Sequence, residues 1–138
     1  MARYNMFMIL ILDVFGVAHL GRGLNKPLLE AVQPLRKQGI RVFFASNMGT
    51  AQKLMFWNVL NLKAYGENIF CSGDLNVAKP EPAFYSRVAA GIGADPDSIL
   101  FFDDSAANVE AANASGWRAF LYSDVDTTLK EIENHHGL

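Results

Sequence analysis

LILDVFGV, residues 10–17, carries a run of large apolar side chains to a single carboxylate, Asp13, and follows it with a valine, an aromatic and a glycine. The continuous apolar run Met6–Leu12 suits a central parallel strand buried on both faces, because a strand with one wet face would alternate. An acid at the point where such a strand stops lies at the rim of the sheet. The run is also far shorter than the ~20 residues of a spanning helix. No small-residue cleavage site accompanies it, so a strand is preferred to a membrane span or a leader.

From that strand the chain alternates between apolar runs and helical patterns. Pro27 suits a first helical turn, Leu28, Val32 and Leu35 share a stripe, Pro34 predicts a kink and Gly39 a stop. Strands are predicted at Ile40–Ala45, Asn68–Cys71, Ile99–Phe102 and Trp117–Tyr122. Between them, helices are predicted over Thr50–Leu62, with Met55, Val59 and Leu62 on one face, from Pro82 with Phe84, Val88 and Ile92, and over Ala106–Ser115, closed by Gly116. Asp126 is expected to cap a last helix through Ile132. Five strands separated by helices with short loops predict an α/β fold: a three-layer, Rossmann-like, doubly wound parallel five-stranded sheet.

With 138 residues, residues 1–138 are expected to form one domain. A net charge of −2 without a basic block gives no sign of an electrostatic track for nucleic acid, and neither nucleic acid nor a membrane is expected as a partner. Cys71 is the one cysteine, which excludes an internal disulfide and fits a reducing, cytoplasmic location.

The polar residues that follow the strands carry the chemistry. Asp13 follows the first strand, Ser46 and Asn47 the second, Lys79 lies in the loop after the third, and Asp103 and Asp104 follow the fourth. In a doubly wound sheet these carboxyl ends border the ligand crevice. Taken singly, each has an ordinary reading: Asp13 as a turn cap, Ser46-Asn47 as a helix start, Lys79 as a solvated loop lysine, Asp103-Asp104-Ser105 as a helix cap. All four falling on one edge of one sheet is harder to explain that way. Carboxylates gathered there repel unless a cation intervenes, and a hard, oxygen-loving ion such as Mg²⁺ answers that, with Lys79 adding positive charge.

In this order the residues resemble the haloacid dehalogenase superfamily. Its motifs are matched by Asp13-Val14-Phe15-Gly16-Val17, by Ser46 in VFFASN, by Lys79 in AKPEP and by the acidic pair in ILFFDDSAANVEAA. The resemblance implies that Asp13 is a nucleophile forming a covalent aspartyl intermediate, and that Ser46 and Lys79 hold the oxygens of a transferring phosphoryl group. It implies Asp104 as the main Mg²⁺ ligand, with Asp13, the Phe15 backbone carbonyl and Asp103 completing or supporting the set. Gly16 and Asn108 would be structural supports, one for the turn and one for the acidic loop. Asn47, Phe15 and His19 are expected to face the substrate.

One position departs from the family's phosphatases, which carry an acid where Phe15 stands. Phe15 can neither protonate a leaving alcohol nor activate water, a role that contributes typically ~10²–10⁴ in rate. The superfamily's 2-haloacid dehalogenases carry an aromatic there, and a departing halide needs no proton; those enzymes, however, dispense with the acidic pair and need a cap domain. The short intervals from Asp13 to Ser46 and from Ser46 to Lys79 leave no room for a cap. The implied function is therefore a Mg²⁺-dependent phosphatase acting on a small-molecule or macromolecular phosphorylated substrate with a good leaving group, or with His19 standing in for the missing acid. The alternatives are metal-free dehalogenation and a weakly catalytic or non-catalytic interaction domain. An uncapped site also suits a homo-oligomer, and Met55, Phe56 and Trp57 are either a broad buried face or a subunit interface.

Overall fold

Strands rich in Ile, Leu, Val and Phe build the centre of the molecule. The computed structural model describes residues 9–136. Its strands are β1 (Ile9–Leu12), β2 (Arg41–Ser46), β3 (Ile69–Cys71), β4 (Ile99–Asp103) and β5 (Arg118–Leu121). All pair in parallel, in the order β3-β2-β1-β4-β5. The doubly wound sheet expected from the sequence is thus present, with strand bounds within a residue or so of those predicted. The predicted start of the first strand, Met6–Met8, lies outside the described residues.

Period-two geometry sorts the apolar strand residues between two cores. Leu10, Leu12, Leu100 and Phe102 face one layer, which contains Leu28, Leu35, Phe56 and Ile132. Ile9, Ile11, Ile99 and Phe101 face the other, with Phe84, Val88, Ala112 and Trp117. Burial of both faces is why the sequence of β1 does not alternate.

The first crossover helix is broken as its proline requires. It forms α1 (Lys26–Ala31), with Asn25 accepting from the Leu28 amide, and α2 (Gln33–Lys37), which restarts after Val32. Pro34 has no N–H for a bond to residue 30, and Gly39, at φ +97°, ends the segment in a conformation that disfavours other residues.

The predicted helix over Thr50–Leu62 is corrected. α3 (Thr50–Leu54) widens into a π-helical turn over Met55–Val59, closed by the Leu60 amide donating to Met55 O at 3.0 Å. Asn61, at φ 66°, then reverses the chain into a 3-10 turn over Leu62–Ala64. The wider turn rotates the expected face: Phe56 is buried, while Met55 and Val59 are 42% and 76% exposed. Of the two readings of Met55, Phe56 and Trp57, the broad buried face is therefore limited to Phe56 and a half-buried Trp57.

The remaining α-helices are α4 (Ser72–Leu75), a turn of helix without a sequence signal, α5 (Pro82–Ile92), α6 (Ala106–Ala114) and α7 (Val125–His136). α7 is capped by Asp124, which accepts from the Thr127 amide at 2.7 Å, and not by Asp126. Among the described residues no inserted domain separates β1 from β2 or β2 from β3, and no helix is long and apolar enough to cross a membrane.

Candidate active site

Sheet register places the chemistry. Leu12 pairs with both Phe44 and Phe102, so the residues one step on, Asp13, Ala45 and Asp103, sit level at the carboxyl edge, with Ser46 just beyond. The carboxylates of Asp13, Asp103 and Asp104 bring ligand atoms within 4.8 Å of one another.

Lys79 binds this edge together. Its ammonium donates to Asp13 Oδ1 at 2.9 Å, to Asp103 Oδ2 at 2.7 Å and to the Ala45 carbonyl at 3.0 Å, using its three protons, and its side chain is 2% exposed. A buried ammonium needs its charge balanced and its three protons accepted; here two carboxylates and a carbonyl accept them. The backbone carrying it is clamped by Asn47, whose Nδ2 donates to Lys79 O at 3.0 Å and whose Oδ1 accepts from Lys79 N at 2.9 Å. Both ends of the Asn47 amide are thus used on the lysine loop, although Asn47 was expected to face the substrate.

Asp103 is equally committed. Its Oδ1 accepts from the Ser105 amide at 2.9 Å and its Oδ2 from Lys79 and from Asn108 Nδ2 at 3.1 Å, and it is fully buried. Tyr85, which sequence reasoning missed, donates its hydroxyl to the Asn108 carbonyl at 3.0 Å and so pins the start of α6. A tyrosine within an apolar helical stripe gives no sign of that polar contact.

Asp104 is exposed and free of such ties to Lys79, and it approaches the backbone at Gly16. A β-carbon on Gly16 would lie 2.0 Å from Asp104 Oδ2. Gly16 is also at φ +86°, so both the turn and the seat of the acid require glycine.

Burial governs Asp13. Loss of solvent raises its pKa from 3.8 to about 7; Lys79 acts in the opposite direction, and Asp103 and Asp104 add to the rise. Its folded pKa therefore exceeds its unfolded one. Between these values the folded state binds the extra proton, so stability falls as pH rises from about 4 to about 7 and stays reduced above that. Without divalent metal, Asp13→Asn is expected to raise Tm at pH 8 by about 5 °C, a shift of the size that ~1–2 kcal/mol gives, and to change little at pH 4. Melting curves at the two pH values check this; equal shifts at both would contradict it.

Ser46 completes the floor. Its hydroxyl is buried and, among the described residues, has no hydrogen-bond partner. Ser46, Asp13, Lys79, Asp104, Asn108, Asn47, Gly16 and Phe15 line one cleft of about 310 Å³. His19 is not among them. Its Nδ1 accepts from the Gly21 amide at 3.2 Å and its ring meets Phe56 edge-on at 5.3 Å, so the structure does not bring it to the cleft as a substitute acid. Phe56 also meets Phe15 edge-on at 5.4 Å.

The family model for haloacid dehalogenase-like hydrolases matches residues 7–116. Among curated relatives, bifunctional epoxide hydrolase 2 of Rattus norvegicus is 26% identical over 92% of this chain, which spans 24% of the length of that protein. A phosphatase of Mycobacterium tuberculosis is 32% identical over 66% of this chain and 42% of its own. Among solved structures, a HAD family enzyme of Bacteroides thetaiotaomicron in complex with magnesium and inorganic phosphate superposes with a TM-score of 0.73 at 18% identity, covering 85% of this chain and 94% of that one.

Proposed function

Because the chain belongs to the haloacid dehalogenase-like hydrolase family, we propose that it is a Mg²⁺-dependent phosphatase that works through Asp13 on phosphates with good leaving groups. The observation that carries this reading is the Ser46 hydroxyl, a buried donor without a partner among the described residues, in the cleft of Asp13 and Lys79. A buried hydroxyl left unpaired is unfavourable unless a water or a ligand oxygen meets it, and a phosphoryl oxygen is such an acceptor.

The donor set suits a hard cation. Three carboxylates against one ammonium leave an acidic excess, and all candidate ligand atoms are oxygens. Asp13 and Asp104 would hold the ion, while Asp103, whose oxygens already serve Lys79, Asn108 and the Ser105 amide, supports from behind. Mg²⁺, when bound, supplies positive charge that offsets the carboxylates and the phosphoryl oxygens. The relatives support this reading: one is a phosphatase, and a neighbour in fold binds magnesium and inorganic phosphate.

In the first step a carboxylate oxygen of Asp13 attacks phosphorus, and the bond from phosphorus to the leaving oxygen breaks with its electron pair on that oxygen. Ser46 donates to a phosphoryl oxygen, and the charge of the Lys79 ammonium, whose three protons stay on Asp13, Asp103 and the Ala45 carbonyl, offsets the charge that shifts onto the phosphoryl group. In the second step water attacks phosphorus, the Asp13 carboxylate is regenerated, and inorganic phosphate leaves with the water's proton passing to phosphate or solvent. Phe15 offers no proton at the leaving oxygen, so the leaving group must depart as a stable anion, such as a carboxylate or a phenolate.

Phe15 alone favours a second reading, displacement of halide. The two separate by product. Given acetyl phosphate and 2-chloropropionate in parallel, the protein is expected to release phosphate from the first and no chloride from the second. Metal-independent chloride release would overturn the phosphatase reading.

A further inference from the structure

Phe15 lines the same cleft as Asp13, Ser46, Lys79 and Asp104, yet remains 40% exposed, which is unusual for a phenylalanine in so polar a place. It is held in position from beneath. Its ring meets the buried Phe56 edge-on at 5.4 Å with the planes at 90°, and Phe56 is in turn flanked by the His19 ring at 5.3 Å. The π-helical turn over Met55–Val59 is what directs Phe56 inward to this contact. The cleft thus joins a floor of Asp13, Ser46 and Lys79 to one supported aromatic wall.

We propose that Phe15 is a specificity residue, and that the substrates preferred by this site are aryl phosphates whose ring packs against it. This inference rests on the phosphatase reading and narrows it, since acyl and aryl phosphates both leave without a proton but only the second presents a ring. At about 310 Å³ the cleft lies in the range of small-ligand sites, so it accommodates a phosphoryl group with a ring beside it. Aromatic pairs prefer offset or edge-on contact, a geometry open to a ring entering beside a fixed phenylalanine.

The test reads binding, so that catalysis does not enter it. Inorganic phosphate, methylphosphonate and phenylphosphonate are titrated calorimetrically into the wild-type protein with Mg²⁺ present, and then into Phe15→Ala and Phe15→Leu. Phenylphosphonate is expected to bind roughly three- to tenfold more tightly than methylphosphonate, with the preference lost in Phe15→Ala and reduced in Phe15→Leu. Melting curves and near-ultraviolet circular dichroism report that both variants are folded, and the phosphate affinity of each variant is the baseline against which its phosphonate preference is read. Equal binding of the two phosphonates by wild type, with phosphate still bound, would overturn the inference and leave the phosphatase reading standing. A preference that survives Phe15→Ala would overturn it too, by assigning the ring to another surface. Binding of none of the three would overturn the phosphatase reading and the inference with it.

Discussion

Phe15→Asp is expected to raise kcat/KM for alkyl phosphate monoesters by about 10²–10⁴-fold, the usual contribution of a positioned general acid, while changing kcat/KM for p-nitrophenyl phosphate, which reports the same first step, only a few-fold. An alkoxide is a poor leaving group and departs readily only when protonated, whereas p-nitrophenolate departs as the anion. Phe15 stands in the wall of the cleft two residues beyond Asp13, in the turn that Gly16 shapes. A carboxylate there would face the leaving oxygen of a phosphoryl group held by Ser46 and Lys79. The substitution also uncovers Phe56, so a modest loss of stability is expected beside the gain in rate. Steady-state kinetics on the two ester classes reads the difference between them. Equal changes for both classes would show that proton donation at this position does not limit the reaction.

How much of this could be read from the sequence varied with the kind of information each segment carried. The strands were legible because burial on both faces leaves continuous apolar runs such as Ile9–Leu12 and Ile99–Phe102. Parallel pairing then determines which residues meet: Asp13, Ser46 and Asp103 share an edge because strands of similar length end in register. The break near Pro34 was legible for a covalent reason, the missing N–H.

The helix after β2 was not. Helical periodicity assumes 3.6 residues per turn, and the π turn at Met55–Val59 spoils that phase, so Met55, Val59 and Leu62 do not share one face: Leu62 and Phe56 are buried, while Met55 and Val59 are exposed. Within the site, residue type indicated the polar groups but not their partners. Asn47 could be placed at the rim from sequence, yet its clamp on the Lys79 backbone joins residues 32 apart in the chain. His19 was plausible as an acid because it follows the Asp13 strand; its bond to the Gly21 amide and its packing on Phe56 are tertiary facts. The Tyr85 contact with Asn108 is of the same kind.

The second large effect concerns Asp13 itself. Its carboxylate is the one group that the proposed chemistry cannot replace, since Asn offers no anionic oxygen to attack phosphorus. Asp13→Asn keeps the shape of the side chain and an oxygen able to accept from Lys79 and from the Val14 amide, which Asp13 Oδ1 now accepts at 2.9 and 2.8 Å. The fold and the Lys79–Asp103 pair should therefore persist while activity falls by at least ~10³-fold, in the manner of a lost nucleophile. The decisive measurement is the rate of p-nitrophenyl phosphate hydrolysis by wild type and Asp13→Asn, each with and without Mg²⁺. Its leaving group requires no acid, so the first step reports on Asp13, Ser46, Lys79 and the acidic pair without the protonation that Phe15 cannot supply. Mg²⁺-dependent turnover by the wild type, absent from a folded Asp13→Asn, is the result predicted; turnover that persists in Asp13→Asn, or that is the same with and without Mg²⁺, would contradict it.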